Sequence, residues 1–114
     1  MTEQDDEQLW AAVSDPSRRR VIDAMLMLGR TTQSALAEQV PFSRQALAKH
    51  LAVLGEVNLI TQTRQGREVH YELDLDRLEL AAHAMSRIAG TWNRRMNAIK
   101  RIAELAHKEQ HART

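Results

Sequence analysis

The segment 41–54, PFSRQALAKHLAVL, contains the side chains best suited by type and spacing to reading another molecule. At helical spacing, cationic, amide-bearing and small side chains fall on one outward face: Arg44, Gln45, Ala48, Lys49 and Ala52. Arg and Gln side chains make two-pronged hydrogen bonds to guanine and adenine edges in the major groove, and small residues allow close approach. This face therefore predicts contact with double-stranded DNA. The alternative is an ordinary solvated helix face.

The other side of the same helix predicts how that face is held. Leu47, Leu51 and Leu54 recur at steps of four and three, which is the period of one buried stripe. Ser43 is placed to accept a hydrogen bond from an amide of the first turn, and Pro41 discourages the preceding helix from continuing. We predict a helix over 43–57.

Two short strands follow this helix. LITQTR (59–64) and REVHYEL (67–73) are rich in β-branched residues, and in the second Val69, Tyr71 and Leu73 alternate with polar residues, which indicates one buried face. The pattern predicts a β-hairpin with its turn at residues 65–66. Arg64 and Arg67 flank that turn, where they can follow phosphates or enter a minor groove. The alternative is a solubilised edge hairpin.

Three helices are predicted upstream. EQLWAAV (7–13) is the first, with Leu9, Trp10 and Val13 as its contact residues. The second starts at Pro16, with a cap from residue 14 or 15, and closes at Gly29. The third, QSALAEQV (33–40), is capped by residue 31 or 32 and ends before the proline at position 41. The third and fourth helices have the spacing of a helix-turn-helix.

The last third of the chain predicts one long helix, from residue 76 to about 107. Its apolar positions include Met85, Ile88, Trp92, Met96 and Ile99. About 30 residues at 1.5 Å each give a stripe of about 45 Å, which is more than a body this small can cover. We expect the same helix, or the first helix, of a second copy to cover it in a two-fold dimer. Gly90 predicts a kink or a close helix crossing near the second tryptophan.

Composition limits the class of protein. The chain has 114 residues, which suits one domain, and it has no cysteine, so thiol catalysis and thiolate metal sites are excluded. The net charge is +1, but residues 1–15 hold five acidic and no basic residues, so the remaining 99 carry +6. The sequence shows neither a secretory signal nor a membrane span, so we expect a cytoplasmic protein. We also expect no cofactor.

Three segments together carry a family resemblance: DPSRRRVIDAML (15–26), TTQSALAEQVPFSRQALAKHLAVL (31–54) and NLITQTRQGREVHYELD (58–74). They resemble the ArsR/SmtB-type bacterial transcriptional regulators over about residues 9–92. The segment TWNRRMNAIKRIAE (91–104) further resembles members that end in a Trp-containing helix. The resemblance implies a mainly α, winged helix-turn-helix protein with a small β-hairpin and a long C-terminal dimerisation helix. Its divisions would be a core over 7–75, a helix over 76–107 and a tail over 108–114.

The resemblance also implies roles for residues. The 43–57 helix would be the recognition helix, and the hairpin would be the wing, of a homodimeric repressor reading an inverted repeat. The predicted DNA-binding residues are Thr32, Gln33, Ser43, Arg44, Gln45, Ala48, Lys49, His50, Arg64 and Arg67. The predicted dimerisation residues are Leu9, Trp10, Val13, Met85, Ile88, Trp92, Met96 and Ile99. Two positions depart from the family pattern: Ala48, where members commonly have Ser, and Asn58, where they usually have Gly.

Three other functions stay open at this point. Many relatives sense metals, and His83, Glu104, His107 and His111 are the candidate ligands, the last two at i,i+4 spacing; the alternative is solvated histidines in a polar tail. A winged helix can also serve as a protein-interaction module. An enzyme is disfavoured, because no nucleophile turn, phosphate-binding loop or acid pair is evident.

Overall fold

The computed structural model describes residues 3–112 and contains five helices and three strands in that range. The helices are α1 (Glu3–Ser14), α2 (Pro16–Leu28), α3 (Gln33–Ala37), α4 (Arg44–Glu56) and α5 (Leu75–Ala112), and the strands are β1 (Thr31–Thr32), β2 (Ile60–Gln65) and β3 (Glu68–Leu73). The contacts divide the chain into two compact units, Met1–Ala82 and His83–Thr114. The first unit has the element order and sheet of a winged helix-turn-helix, which confirms the predicted fold class.

The junction between α1 and α2 is fixed by hydrogen bonds between neighbouring residues. The Asp15 carboxylate accepts from the Ser17 amide at 2.8 Å and so caps α2, with Pro16 at its first position. The next two side chains satisfy the last carbonyls of α1: Arg18 Nε donates to Ala12 O at 2.7 Å, and Arg19 donates to the carbonyls of residues 13 and 14. The prediction was right about this boundary, although α1 begins at residue 3 rather than 7.

Helix α4 is bounded as its sequence predicts. The Ser43 hydroxyl accepts from the Ala46 amide at 3.1 Å, so Ser43 is the N-cap. At the other end Asn58 has φ of 60°, and the amide of Leu59 donates to the carbonyl of Leu54 at 3.0 Å. This is the Schellman arrangement, in which Asn replaces the usual glycine. The predicted departure at position 58 is therefore tolerated.

The sheet differs from its prediction in two ways. Strand β3 lies between β2 and β1, and the two-residue strand β1, which the sequence did not predict, pairs with Tyr71 and His70. The predicted turn at residues 65–66 was wrong by one residue, because Gln65 pairs with Glu68 and the loop is formed by residues 66 and 67. Gly66 alone in this loop has a positive φ, 62°, as a type II′ turn requires.

The core of the first unit is formed by apolar side chains from all five helices and the sheet. Its most deeply buried large members are Leu9, Val21, Met25, Leu36, Leu47, Leu54 and Leu59. The leucine stripe of α4 therefore packs inward, as predicted, and fixes which face of α4 points outward. Close packing of this kind holds a helix rigidly, because its side chains fit between their neighbours in preferred rotamers.

Helix α5 is longer than predicted. It begins at Leu75, where the Asp74 side chain accepts from the Arg77 amide at 3.1 Å. It is helical through Ala112, so most of the segment predicted as a tail over 108–114 is helical, and residues 113–114 lie outside the described range. The helix assignment is continuous across Gly90.

Gly90 provides a test of that continuity. A Cβ added there would meet only the side-chain end of Arg94, at 3.5 Å, which is ordinary contact. We expect Gly90→Ala to raise the free energy of unfolding by about 0.5–1 kcal/mol, because alanine has the higher helix propensity. Chemical denaturation measures this. Gly29→Ala is the matched control and should destabilise, since Gly29 has φ of 69°; a destabilising Gly90→Ala would indicate an irregular helix.

The capping carboxylate of Asp15 makes stability depend on pH. The hydrogen bond from the Ser17 amide, with help from the charge of Arg18, lowers the pKa of Asp15. A lowered pKa contributes stability that is present above the ordinary Asp value of about 3.9 and is lost as the pH falls through the folded value. We expect Asp15→Asn, which keeps the cap, to lose less stability than the wild type between about pH 5 and 3. Thermal unfolding across that range measures the difference, and parallel curves would contradict it.

Candidate nucleic-acid interface

The outward face of α4 presents the residues that the sequence predicted for DNA contact. All five are exposed: Arg44, Gln45, Ala48, Lys49 and Ala52. Because the leucines of α4 are buried on the opposite side, this face is displayed on a rigid support. Its width and charge suit insertion of the helix into a major groove.

The helix-turn-helix is joined by a hydrogen bond between its two helices. Gln33 Nε2 donates to the Arg44 carbonyl at 3.1 Å, so the start of α3 is tied to the first turn of α4. The Thr32 hydroxyl caps α3 by accepting from the Ala35 amide at 3.2 Å. In each cap the hydroxyl oxygen accepts a hydrogen bond, so the hydroxyl protons of Thr32 and Ser43 can still be donated. Gln33 Nε2 likewise carries a second N–H. These three groups are hydrogen-bond donors at the same end of the first unit as the exposed face of α4.

His50 is half-buried on α4, against the aromatic ring of the turn. Its ring centroid lies 5.3 Å from that of Phe42, with the two planes tilted by 56°. Edge-to-face and tilted pairs at this distance are favourable. This contact gives His50 a packing role on the helix, next to its predicted role in touching phosphate.

The wing carries its two arginines at the loop. Arg64 and Arg67 are both exposed, and Arg64 Nε donates to the Gly66 carbonyl at 3.4 Å, so it turns back over the loop. Arg67 lies within the loop itself rather than at the start of a strand. A cation at the tip of a two-stranded ribbon can reach a DNA backbone or a narrow minor groove.

A cleft of about 550 Å³ lies between α4 and the sheet, and sequence reasoning did not identify it. Its walls include Ala48 and Glu56 from α4 and Gln62 and Tyr71 from the sheet. Tyr71 was predicted to face the core, but it is half-buried, and only Leu73 of its alternating set is fully buried. The alternation along β3 correctly predicted which side chains share one face of the strand. It could not show that only one residue of that face, Leu73, reaches the core.

The predicted dimerisation residues fall into two groups. Leu9 and Val13 are 1% and 3% exposed, so they belong to the core of their own chain. Trp10 on α1 is exposed, and Met85 and Ile88 are half-buried. The other three are exposed on α5: Trp92, Met96 and Ile99.

The histidines of α5 do not complete a metal site in the part of the chain that is described. His107 and His111 lie one turn apart, with ring centroids 4.3 Å from each other and ring planes tilted by 49°. No group of three or more His, Cys, Asp or Glu side chains among residues 3–112 is arranged to hold a metal ion. Over the same residues, no helix has both the length and the apolar character needed to cross a bilayer.

Comparison with known proteins gives consistent neighbours. The chain is 32% identical over 66 residues to the transcriptional repressor SdpR of Bacillus subtilis, a match that covers 58% of this chain and 72% of SdpR. No protein-family model matches the chain.

Two solved structures extend the comparison. An ArsR-like transcriptional regulator from Rhodococcus sp. RHA1 superposes with a TM-score of 0.61 and 36% identity, covering 88% of this chain and 93% of that one. NolR from Sinorhizobium fredii gives a TM-score of 0.63 and 26% identity, covering 76% and 86%.

Proposed function

This chain belongs to the ArsR family of DNA-binding transcriptional regulators, and on that premise we propose that it is a homodimeric repressor that reads an inverted repeat. Its two α4 helices would occupy successive major grooves, about 34 Å apart. Each wing would contact the DNA that flanks a half-site. The proposal agrees with the similarity of the chain to SdpR, which is a transcriptional repressor.

The observation that carries the proposal is the exposed face of α4. Arg44, Gln45 and Lys49 point away from the core together, while two alanines keep the face flat. Arg44 and Gln45 are assigned to base edges, because their side chains can pair two hydrogen bonds with guanine or adenine. Lys49 is assigned to a base edge or a nearby phosphate.

The remaining interface residues are assigned to the backbone. Thr32, Gln33 and Ser43 lie at helix N-termini, where amides and hydroxyls favour an anion. Arg64 and Arg67 would hold the flanking phosphates. Such contacts fix the position of the protein and supply affinity, but they do not select a sequence.

Homodimer formation is supported by the apolar residues of α5. Trp92, Met96 and Ile99 follow one another at steps of four and three and are exposed, which leaves an apolar stripe that the described part of its own chain does not cover. Ile102 and Leu105 continue the exposed apolar surface. Exposed patches of this kind usually mark an interface, and a second copy is the simplest occupant because two-fold homodimers are the commonest oligomers.

Selection of bound duplexes from a random pool tests the proposal as a whole. A dimeric reader of an inverted repeat should enrich two copies of one short motif in opposite orientation, with centres about 34 Å apart, or about one helical turn. Enrichment of a single half-site would contradict the dimeric arrangement. No enrichment would contradict sequence-specific binding.

A salt titration of the gel shift separates DNA binding from the use of the winged helix as a protein-interaction module. A specific complex should weaken steeply as salt rises, since each contacted phosphate releases counterions. It should also be competed by the selected duplex and not by random duplex. A complex with equal competition by both duplexes would favour the interaction module.

A further inference from the structure

The cleft between α4 and the sheet lies where two DNA-contacting surfaces meet. One wall is the outward face of α4, represented by Ala48 and Ala52, which share that face with the predicted base-reading residues. The other wall is the sheet face that carries Gln62 and Tyr71, which are directly paired across β2 and β3. Side chains of paired residues in an antiparallel sheet point to the same side.

B-DNA geometry determines what must cross this cleft. Each sugar-phosphate backbone separates a major groove from a minor groove. If α4 enters a major groove and the wing reaches the adjoining minor groove, the strand between the two grooves has to pass between the helix and the wing. This step rests on the proposed function.

A second cavity continues the path. It has a volume of about 340 Å³, is lined by Thr32, Ser34, Arg67 and Glu68, and shares Gln33 and Tyr71 with the first cleft. The shared residues make the two cavities neighbours, so the surface leads from α4 past Tyr71 to the loop arginine of the wing. Hydroxyl, amide and guanidinium donors occur in both cavities, and these are the groups that contact phosphate oxygens.

We propose that one strand of the operator backbone lies in this cleft, where the Tyr71 hydroxyl and the Gln62 side-chain amide donate hydrogen bonds to a phosphate. The small side chains of Ala48 and Ala52 leave room for the sugar-phosphate chain on the α4 side. Gln33 stands at the junction of the two cavities and has one N–H beyond the bond that it makes to Arg44. Neither Gln62 nor Tyr71 was identified from the sequence as a DNA-binding residue.

Glu56 allows a second test of the proposal, in which the expected effect on DNA affinity is the opposite. This exposed carboxylate lines the same cleft at the C-terminal end of α4. A negative charge beside a phosphate strand is repulsive, so Glu56 should weaken binding and limit how far the strand can move along the cleft. Removal of the charge should tighten binding to every duplex, whereas removal of a donor should weaken it.

The experiment uses the full chain and a duplex obtained by selection. Tyr71→Phe and Gln62→Ala should each weaken binding about five- to tenfold, and Glu56→Gln should tighten it about threefold on both selected and random duplexes. Glu72→Gln is the matched control, because Glu72 is exposed on the opposite face of the sheet, and it should leave affinity unchanged. Circular dichroism and thermal unfolding verify that each variant is folded.

Single methylphosphonate substitutions locate the contact on the DNA. In each half-site, one uncharged phosphonate on the strand between the two grooves should weaken binding by the wild type. The same phosphonate should lower the affinity of Tyr71→Phe by at most about a further twofold, because that variant has already lost the contact. If the wild type binds its selected duplex but none of the three substitutions and no phosphonate changes the affinity, the cleft proposal is overturned and the proposed function stands. If the wild type selects no duplex, the proposed function fails with it.

Discussion

Replacement of Ile99 by Asp should convert a dimer into a monomer and reduce operator affinity at least 100-fold. Ile99 is 66% exposed in its own chain, so the substitution leaves the protomer fold intact. In a two-fold dimer it would remove about 2 kcal/mol of apolar burial from each copy, and it would place a charge in the interface. About 4 kcal/mol corresponds to roughly a 1,000-fold loss in the dimer constant.

Asn97→Asp is the matched control for that change. It adds the same charge to α5 two residues away, but about 200° around the helix from Ile99, outside the apolar stripe. Light scattering after gel filtration gives the oligomeric state, and a gel shift gives the operator affinity. A dimeric Ile99→Asp variant with wild-type affinity, or equal dissociation by Asn97→Asp, would show that this stripe is not the interface.

In the proposed dimer, loss of one copy would affect DNA binding because the two half-sites would be read together. Once one α4 helix is bound, the second is held close to its half-site, and this effective concentration strengthens binding without any new contact. A monomer has only one recognition helix and one wing. Its remaining affinity should therefore be dominated by phosphate contacts and should show little preference for the selected duplex.

The parts of the fold that were predictable from sequence depend on neighbours along the chain. Asp15 and Ser43 cap their helices through amides two and three residues away, and Asn58 ends α4 through the residues next to it. Turn and cap chemistry of this range is readable from residue type and spacing. The outward face of α4 was predictable for a similar reason, because three leucines define the opposite face.

The parts that were missed depend on contacts distant in sequence. Two threonines become strand β1 only because β3 offers free backbone groups some 40 residues later, at Tyr71 and His70. Periodicity also identified Leu9 and Val13 as apolar contact residues without identifying what they contact, and they pack within their own chain. A buried stripe has the same appearance in a core and in an interface.

The same limit explains why the cleft could not be foreseen. Its walls come from α4 and from paired positions of the hairpin, and their meeting depends on the packing of α4 against β2. In the sequence, Gln62 is one polar residue in a strand, and Tyr71 is one member of an alternating apolar set. The structure brings both beside the predicted recognition face, and the cleft proposal adds them to an interface that residue type alone had assigned to the two helices of the helix-turn-helix and the wing arginines.

Alanine substitutions of Gln45 and Arg67 should weaken DNA binding in different ways. Gln45 is exposed on α4 and is assigned to a base edge, so its loss should relax preference at one base position by about 1–3 kcal/mol. Arg67 is exposed in the wing loop and is assigned to phosphate. Its loss should weaken binding to all duplexes about equally and reduce the slope of log affinity against log salt by about one.

Selection repeated with each variant, together with salt titrations, measures both effects. Gln8→Ala on the exposed surface of α1 is the control for the lost amide, and Arg101→Ala on α5 is the control for the lost charge. Arg101→Ala changes the net charge by the same amount as Arg67→Ala, so an equal fall in salt slope from both would assign the effect to the overall field and not to a wing contact. Identical base preferences in the Gln45 and Arg67 variants would contradict the assignment of α4 to bases and of the wing to the backbone.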